Sequence, residues 1–431
     1  MLSAFANAFR SPDLRKKIFF TLGILAIFRF GSVVPVPNVN VGRIGQCIDQ
    51  ATAGEQAGLY SMINLFSGGA LLQLAVFALG IMPYITASII LQLLTVVIPR
   101  LEALKKEGGA GQQKITQYTR YLTVVLAVLQ ATAFTTLATR DQLFQGCPGV
   151  THSDGLFPQI VMIMTMVAGA GLVMWMGELI TERGVGNGMS VMIFTQIVAT
   201  FPSSLWAIRE SRGMVAFMLV VGVGLLVMLA VVFIEQGQRR IPVQYAKKMV
   251  GGRMLGGTTT YIPLKMNQAG VIPVIFASSI LYLPAMYAQF QPESAAADWI
   301  QRYMITGGHP IYMTVFFLLI VFFTYFYVSI TFNPEEVADN MKKYGGFIPG
   351  IRAGAPTERY LSYVLSRLTA PGALYLGLIA LLPQFAFVMF GANQNFPFGG
   401  TSLLIMVGVG LDTVKRIESQ LQQRNYEGFL R

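Results

Sequence analysis

The sequence is poor in charged residues, and this shortage sets the class of protein. Of its 431 residues, 54% are hydrophobic and only 12% are charged, and its mean hydropathy is +0.58. So few charges cannot cover a globular surface of this size in water. Apolar runs of about 17 to 25 residues recur along the chain, the length that crosses about 30 Å of hydrocarbon as a helix. Because these runs lack the alternation of barrel strands, the sequence predicts an all-α polytopic membrane protein.

Residues that carry chemistry are equally scarce. Two histidines and two cysteines cannot form a Cys/His zinc cluster. Residues 108–114 lack the Gly-Lys-Ser/Thr of a phosphate loop, and the glycines of 184–188 follow no strand. We therefore expect no enzyme activity, no catalytic residue, no metal and no cofactor. Cys47 and Cys147 both fall in predicted external loops where oxidation is permitted, but the sequence gives no distance between them, so their pairing stays open.

Ten apolar runs are the predicted membrane spans. The run after Arg15, Lys16 and Lys17 resembles a signal peptide, but it is too long and lacks a small-residue cleavage site, so we expect it to remain as the first helix. The spans lie at about 18–34, 71–98, 121–138, 157–180, 188–206, 214–234, 269–288, 311–332, 369–390 and 396–411.

The basic residues predict the orientation. The N-terminus, the C-terminus and the loops between even-numbered and following spans hold 24 of the 31 Lys and Arg residues, against 5 in the other loops. Since Lys and Arg are retained in the cytoplasm during insertion, both termini are predicted to be cytoplasmic. The cytoplasmic parts are then 1–17, the loops 235–268 and 333–362, and the tail 412–431. Their net positive charge favours either anionic phospholipids or a dedicated anionic partner.

An internal repeat relates the two halves of the chain, 18–206 and 207–411. Residues 80–93 match 270–283 at eight of fourteen positions. A weaker match relates the starts of spans five and ten, at 188–193 and 400–405. Each half has an odd number of spans, so the halves must be inverted. Such repeats place the working site at their common axis, next to Gly/Pro-interrupted helices, and proline is expected to bend or weaken spans two and seven. The alternative is that these small residues only ease helix packing.

The predicted axis is aliphatic. Carboxylates and histidines are missing from the central parts of spans two, five, seven and ten, and His152 and His309 both fall in external loops. The repeat instead aligns four isoleucines, Ile85, Ile193, Ile275 and Ile405. A ring of aliphatic side chains disfavours water in a narrow constriction and grips nothing specific. It would suit a conduit for varied polypeptides better than a solute pump.

Three loop features complete the pattern. Residues 60–70 form a short apolar segment stopped by paired glycines, which either lies on the membrane surface or folds into the external mouth as a plug. Strand-like pieces at 241–246 and 258–264 predict a hairpin with a basic tip. Asn333, Pro334 and two acidic residues predict a helix that ends before Gly345 and Gly346.

Long motifs in one order along essentially the whole chain resemble the SecY/Sec61-alpha family of protein-conducting channels, in the style of its actinobacterial members. They lie at 66–70 (Phe-Ser-Gly-Gly-Ala), 80–88 (Gly-Ile-Met-Pro-Tyr-Ile-Thr-Ala-Ser), 180–188 (Ile-Thr-Glu-Arg-Gly-Val-Gly-Asn-Gly), 238–241 (Gln-Arg-Arg-Ile), 268–273 (Gln-Ala-Gly-Val-Ile-Pro), 346–352 (Gly-Phe-Ile-Pro-Gly-Ile-Arg), 398–402 (Phe-Gly-Gly-Thr-Ser) and 425–429 (Asn-Tyr-Glu-Gly-Phe). Two positions depart from the family. Met189 replaces a frequent isoleucine, which loosens the seal slightly, and Ala353 replaces a frequent proline, which adds loop flexibility.

The resemblance implies an hourglass pore in a bacterial plasma membrane that passes unfolded, signal-bearing polypeptides and releases transmembrane segments sideways into lipid between spans two and seven. The implied pore ring is Ile81, Ile85, Met189, Ile193, Ile275 and Ile405. The implied plug, within about 59–70, is Tyr60, Ser61, Met62, Ile63, Asn64, Leu65, Phe66, Ser67, Gly68 and Gly69. The implied lateral gate is Pro83, Thr86, Gln92, Gln130, Pro273 and Ser278, although such polar residues often only join helices.

The resemblance also implies partners. Arg239, Arg240, Lys247, Lys248, Arg253 and Arg352 would form a docking surface for the SecA ATPase or a translating ribosome, although a solvated basic loop is the plainer alternative. SecE and SecG are the implied small subunits, and SecDF and YidC further partners.

Two other classes of protein remain as alternatives. A secondary transporter of five-plus-five architecture could use a cation site built from backbone carbonyls, which leaves no trace in the sequence. An intramembrane serine protease is disfavoured because a membrane-embedded base is missing from the sequence.

Overall fold

The described part of the chain is mostly helical. A computed structural model describes residues 9, 11–53, 69–139, 149–153, 155–245, 248–250, 253–255, 259–290, 294–305, 309–390 and 400–427. The helices are α1 (Pro12–Gly31), α2 (Val41–Ala53), α3 (Met82–Val97), α4 (Pro99–Lys106), α5 (Gly109–Thr139), α6 (Leu156–Arg183), α7 (Gly188–Gln236), α8 (Ile272–Phe290), α9 (Ala295–Ile300), α10 (Pro310–Thr331), α11 (Pro334–Lys343), α12 (Ala355–Phe390) and α13 (Gly400–Glu427).

Each predicted span overlaps one of these helices. Within the described ranges, five helical segments are long and apolar enough to cross a membrane, and the bent pair α3 and α4 makes a sixth. Spans five and six are both parts of α7, which is broken only at Gly213, where φ is 83° and ψ is 178°. Span ten opens α13, which continues without interruption into the predicted tail.

The start of span two was predicted wrongly. Residues 71–81 form turns instead of helix, and α3 begins only at Met82. Leu74 and Gly80 have positive φ angles of 47° and 54°, which a right-handed helix does not allow. The segment is nevertheless buried, so its apolar composition reflects packing against α5 and α6.

Pro83 and Pro273 lie at the starts of their helices and do not bend them, contrary to expectation, whereas Pro284 of span seven lies inside α8. Pro83 lies in the first turn of α3, and Pro273 has the same place in α8. A proline in the first turn removes only an amide that has no helical partner anyway. Three residues before each proline, Gly80 and Gly270 adopt φ angles of 54° and 62°. The sequence repeat is thus also a repeat of backbone conformation.

Helices α5 and α6 are joined by an ion pair. Arg120 donates from Nε and Nη2 to the two carboxylate oxygens of Glu178, at 2.8 Å each. Its Nη1 donates to Gln117 Oε1 at 3.0 Å. The Glu178 side chain is only 17% exposed, so this two-point contact fixes the two helices against each other.

The turn between α6 and α7 is tightly packed. Gly188 donates its backbone N–H to Thr181 Oγ1 at 2.9 Å. A Cβ at Gly188 would lie 1.8 Å from the carbonyl oxygen of Gly177. Only glycine fits at this position, so the start of α7 is held directly against α6.

The two long predicted cytoplasmic loops form one folded unit. The first loop holds β1 (Gln238–Tyr245), β2 (Lys248–Val250), β3 (Arg253–Leu255) and β4 (Thr259–Lys265), and the second holds β5 (Gly346–Phe347). The pairs β1–β4, β1–β5 and β2–β3 are antiparallel. The hairpin and α11 were predicted, whereas the β1–β5 pairing that joins the two loops was not. A shared core lies beneath the sheet, formed by Ile241, Val243, Leu264, Met341, Ile348, Leu361 and Val364.

The predicted external side holds structure that the sequence did not reveal. Helices α2 and α9 lie in loops where no helix was predicted. Cys47 on α2 is fully buried and disulfide-bonded. Cys147, the other cysteine of the chain, lies outside the described residues.

Candidate functional site

Six residues from four helix starts meet in one hydrophobic cluster, here called the ring cluster. Ile81, Ile193, Ile275 and Ile405 are buried members, each 8% exposed or less. Ile85 and Met189 pack against them. These are the six residues that the family resemblance implied for the pore ring. They come together across more than 300 residues of sequence.

Equivalent backbone geometry brings the isoleucines together. Ile85 donates its amide to the carbonyl of Ile81 at 3.1 Å, and Ile275 donates to the carbonyl of Val271 at 3.3 Å. Ile85 and Ile275 each lie two residues after the proline in the first turn of their helix. Likewise, Ile193 and Ile405 each lie five residues after the glycine that opens α7 and α13. Each residue occupies the same turn of its helix as its counterpart in the other half.

The cluster is larger than the sequence predicted. It also includes Ile24 and Phe28 of α1, Val173 and Ile180 of α6, and Val409 of α13. Val409 lies four residues after Ile405, on the same helix face, so helical spacing was a signal for it. The residues of α1 and α6 belong to no repeat match, and only the fold reveals them.

The ring cluster is apolar, and its members are aliphatic, aromatic and methionine side chains. Among the described residues, no three of His, Cys, Asp and Glu lie close enough together to hold a metal.

The predicted gate residues lie on α3, α5 and α8. Pro83 and Pro273 are buried at the starts of α3 and α8. Thr86 Oγ1 donates to the Met82 carbonyl at 3.0 Å, and Ser278 Oγ donates to the Ile275 carbonyl at 2.9 Å. Both hydroxyls are thus satisfied within their own helix.

The remaining two gate residues lie at the surface of the helices. Gln92 on α3 is exposed and Gln130 on α5 is half-buried.

The contact between α3 and α8 is short and apolar. The two helices touch much less than α8 touches α10. Ile89 of α3 packs in one cluster with Val274, Ala277 and Leu281 of α8.

The predicted docking residues lie on the folded unit of the two loops. Arg239 and Arg240 are exposed on β1, and the Arg240 guanidinium lies 4.9 Å from the centre of the Tyr261 ring. Arg352 is exposed, and its carbonyl accepts a hydrogen bond from Thr357 Oγ1 at 2.9 Å. Because β1 pairs with β5 and the two loops share one core, Arg239, Arg240 and Arg352 belong to the same folded unit.

The hairpin tip is described only in part. Lys248 and Arg253 pair through their strands with Leu255 and Val250. Lys247 lies outside the described residues. Nine of the ten predicted plug residues, 60–68, also lie outside the described residues. The tenth, Gly69, is half-buried and adopts a φ of 90°.

Comparison with known proteins identifies the family. The SecY family model matches residues 75–414. Over the full length of both chains, the sequence is 63% identical to the protein translocase subunit SecY of Streptomyces scabiei and 59% identical to that of Mycobacterium tuberculosis. Both relatives are actinobacterial, as the sequence motifs indicated.

Solved structures share the fold. A structure described as a protein conducting channel matches with a TM-score of 0.64 at 18% identity, covering 94% of this chain and 91% of that one. Sec61 in the canine ribosome-channel complex matches with a TM-score of 0.58 at 17% identity and the same coverage. A full-length match in sequence and in fold leaves one conclusion: the chain belongs to the SecY family of protein translocase subunits.

Proposed function

We propose that the chain is the pore of a plasma-membrane translocon and passes unfolded, signal-bearing polypeptides through the ring cluster. The observation that supports this most directly is the meeting of all six ring residues in one apolar cluster. An aliphatic neck closes by excluding water, and it can fit around an extended chain of any sequence because it makes no specific hydrogen bonds.

The contact between α3 and α8 is proposed as the lateral gate. Its apolar packing supports this role, because a passing apolar segment can replace those contacts with its own. Transmembrane segments would leave the pore between these helices and enter lipid. The residues 60–69 are proposed as the plug on the external side.

The folded unit of the two loops is proposed as the docking surface for SecA or a translating ribosome. Exposed arginines on a rigid sheet suit an acidic protein surface or ribosomal RNA. A channel–ribosome complex of similar fold supports the second partner. SecE and SecG are the proposed small subunits, SecDF and YidC further partners, and anionic phospholipids the proposed surrounding lipid. Both termini are proposed to be cytoplasmic.

Reconstitution tests the proposal. The chain, purified with SecE and SecG, is placed in liposomes with SecA and ATP, and an unfolded polypeptide with or without a signal sequence is added. We expect protease protection of the signal-bearing polypeptide only, and no uptake of small solutes. Uptake of a solute without polypeptide passage would contradict the proposal and favour a secondary transporter.

A further inference from the structure

Gln196 is a buried amide next to the apolar ring cluster. It lies on α7 and is 1% exposed. Among the described residues, neither its Nε2 nor its Oε1 has a hydrogen-bond partner. Most buried polar groups in proteins are paired, so an amide with both ends unpaired requires a physical reason.

Helical spacing places Gln196 on the same face as the ring residues of α7. Met189, Ile193 and Gln196 are separated by four and three residues, the spacing that aligns side chains along one face. Gln196 therefore lies one turn beyond Ile193, further from the start of the helix. Its buried neighbours Met192 and Ile197 both belong to the ring cluster.

The internal repeat offers Gln196 no matching partner. The equivalent position on α13 is Gly408, which has no side chain. A Cβ at Gly408 would lie 3.2 Å from Cγ2 of Val271, so this part of the wall is also apolar. The two halves of the repeat differ at this position, because one half has the glutamine amide of Gln196 and the other has the glycine Gly408.

An unpaired amide makes the closed arrangement less stable than an apolar side chain would. Opening the pore would admit groups that can pair with it. The main chain of an extended polypeptide offers one donor and one acceptor per residue, which match the amide N–H and C=O of glutamine. Water offers the same chemistry.

We propose that Gln196 is a gating residue whose amide hydrogen-bonds the main chain of the passing polypeptide in the open channel. Because the amide is unpaired when the channel is closed, it biases the channel toward opening. Recognition through the main chain is independent of client sequence. This inference rests on the proposed pore function.

The test compares Gln196→Met, an apolar side chain of similar size, with Met166→Leu, a buried methionine of α6 that lies outside the ring cluster. Reconstituted channels are assayed for thermal unfolding, for resting ion conductance and for transport of a signal-bearing polypeptide. In Gln196→Met we expect an unchanged or higher unfolding temperature and transport lowered at least about fivefold, the effect of losing one amide hydrogen-bonding group. Met166→Leu should transport normally.

Polypeptide transport and resting ion conductance together show whether Gln196 pairs with the polypeptide main chain or with water. A fall in transport that exceeds the fall in resting openings supports pairing with the main chain, whereas an equal fall in both shows that water is the partner and overturns the main-chain assignment. Normal transport in Gln196→Met, or a loss of transport that follows a loss of stability, overturns the gating role. Failure of the parent channel to move polypeptide would instead contradict the proposed function.

Discussion

Single side chains in the ring cluster should control leakage. Ile193 and Ile405 are 7% and 1% exposed and contribute to the closed packing. Burial of an isoleucine contributes about 1.5–3 kcal/mol, and each 1.4 kcal/mol is about a tenfold change in an equilibrium. The Ile193→Ser, Ile405→Ser double variant should therefore raise resting ion conductance at least about tenfold and relax signal selectivity without preventing insertion into the membrane.

The matched control is Leu226→Ser, because Leu226 is 69% exposed on the outer part of α7. Planar-bilayer recordings measure the conductance. A double variant as tight as the parent would contradict the sealing role of the ring.

Gly188 should tolerate no side chain. A Cβ there meets backbone at 1.8 Å, whereas a Cβ at Gly171 of α6 meets nothing within 4 Å. Gly188→Ala should therefore cost about 1–3 kcal/mol through overpacking, and Gly171→Ala should leave stability unchanged or slightly higher. Thermal unfolding in detergent measures both, and equal melting temperatures for the two variants would refute the close approach of α6 and α7.

Pairs of helices depend on a few specific contacts, of which Arg120–Glu178 is the clearest. Removing Arg120 alone leaves a largely buried carboxylate without its partner, and we expect Arg120→Met to cost about 1–3 kcal/mol. The Arg120→Met, Glu178→Leu double variant should recover most of that loss, because both charges are then absent. A double-mutant cycle on the free energy of unfolding provides the measurement. Strictly additive losses would show that the pair contributes no coupling.

Sequence patterns predicted the helices well because their signals are local. Hydrophobic runs located the spans, but Pro83 and Pro273 were interpreted as interruptions within spans two and seven, although they lie at the starts of α3 and α8. The turns at 71–81 were missed because a buried turn segment has the same apolar composition as a span. An apolar composition indicates that a segment is buried, but it does not indicate whether the backbone of that segment is helical.

Contacts between distant segments were harder to predict. The family resemblance selected all six residues that meet in the ring cluster, and the repeat independently selected four of them, Ile85, Ile193, Ile275 and Ile405. The pairing of β1 with β5 has no comparable signal, since Gly346 and Phe347 form a strand only through their partner. Gln196 was missed as well, because only the fold shows that its amide is buried and unpaired.

The whole molecule combines the apolar ring cluster with the folded unit of the two loops, which exposes several arginines, and the two parts should be separable by mutation. Arg352→Glu reverses a charge on the exposed loop of that unit and should block SecA-driven secretion while insertion and folding remain normal. Arg43→Glu, an equally exposed change on α2, is the control. Secretion of a signal-bearing reporter and the amount of membrane-inserted chain are measured together. Near-normal secretion by the Arg352→Glu variant would contradict the proposal that Arg352 belongs to the docking surface for SecA.

Crosslinking to a polypeptide halted in transit tests the path through the molecule. Cysteine is introduced at Ile85, Ile193, Ile275 or Ile405, and at Leu226 as a lipid-facing control, and each variant is probed with a polypeptide that carries one cysteine in its translocating stretch. If the ring cluster surrounds the path, all four ring positions crosslink to the same stretch of polypeptide and Leu226 does not. Crosslinks at only some of the four positions, or stronger crosslinking at Leu226, would show that the polypeptide passes elsewhere.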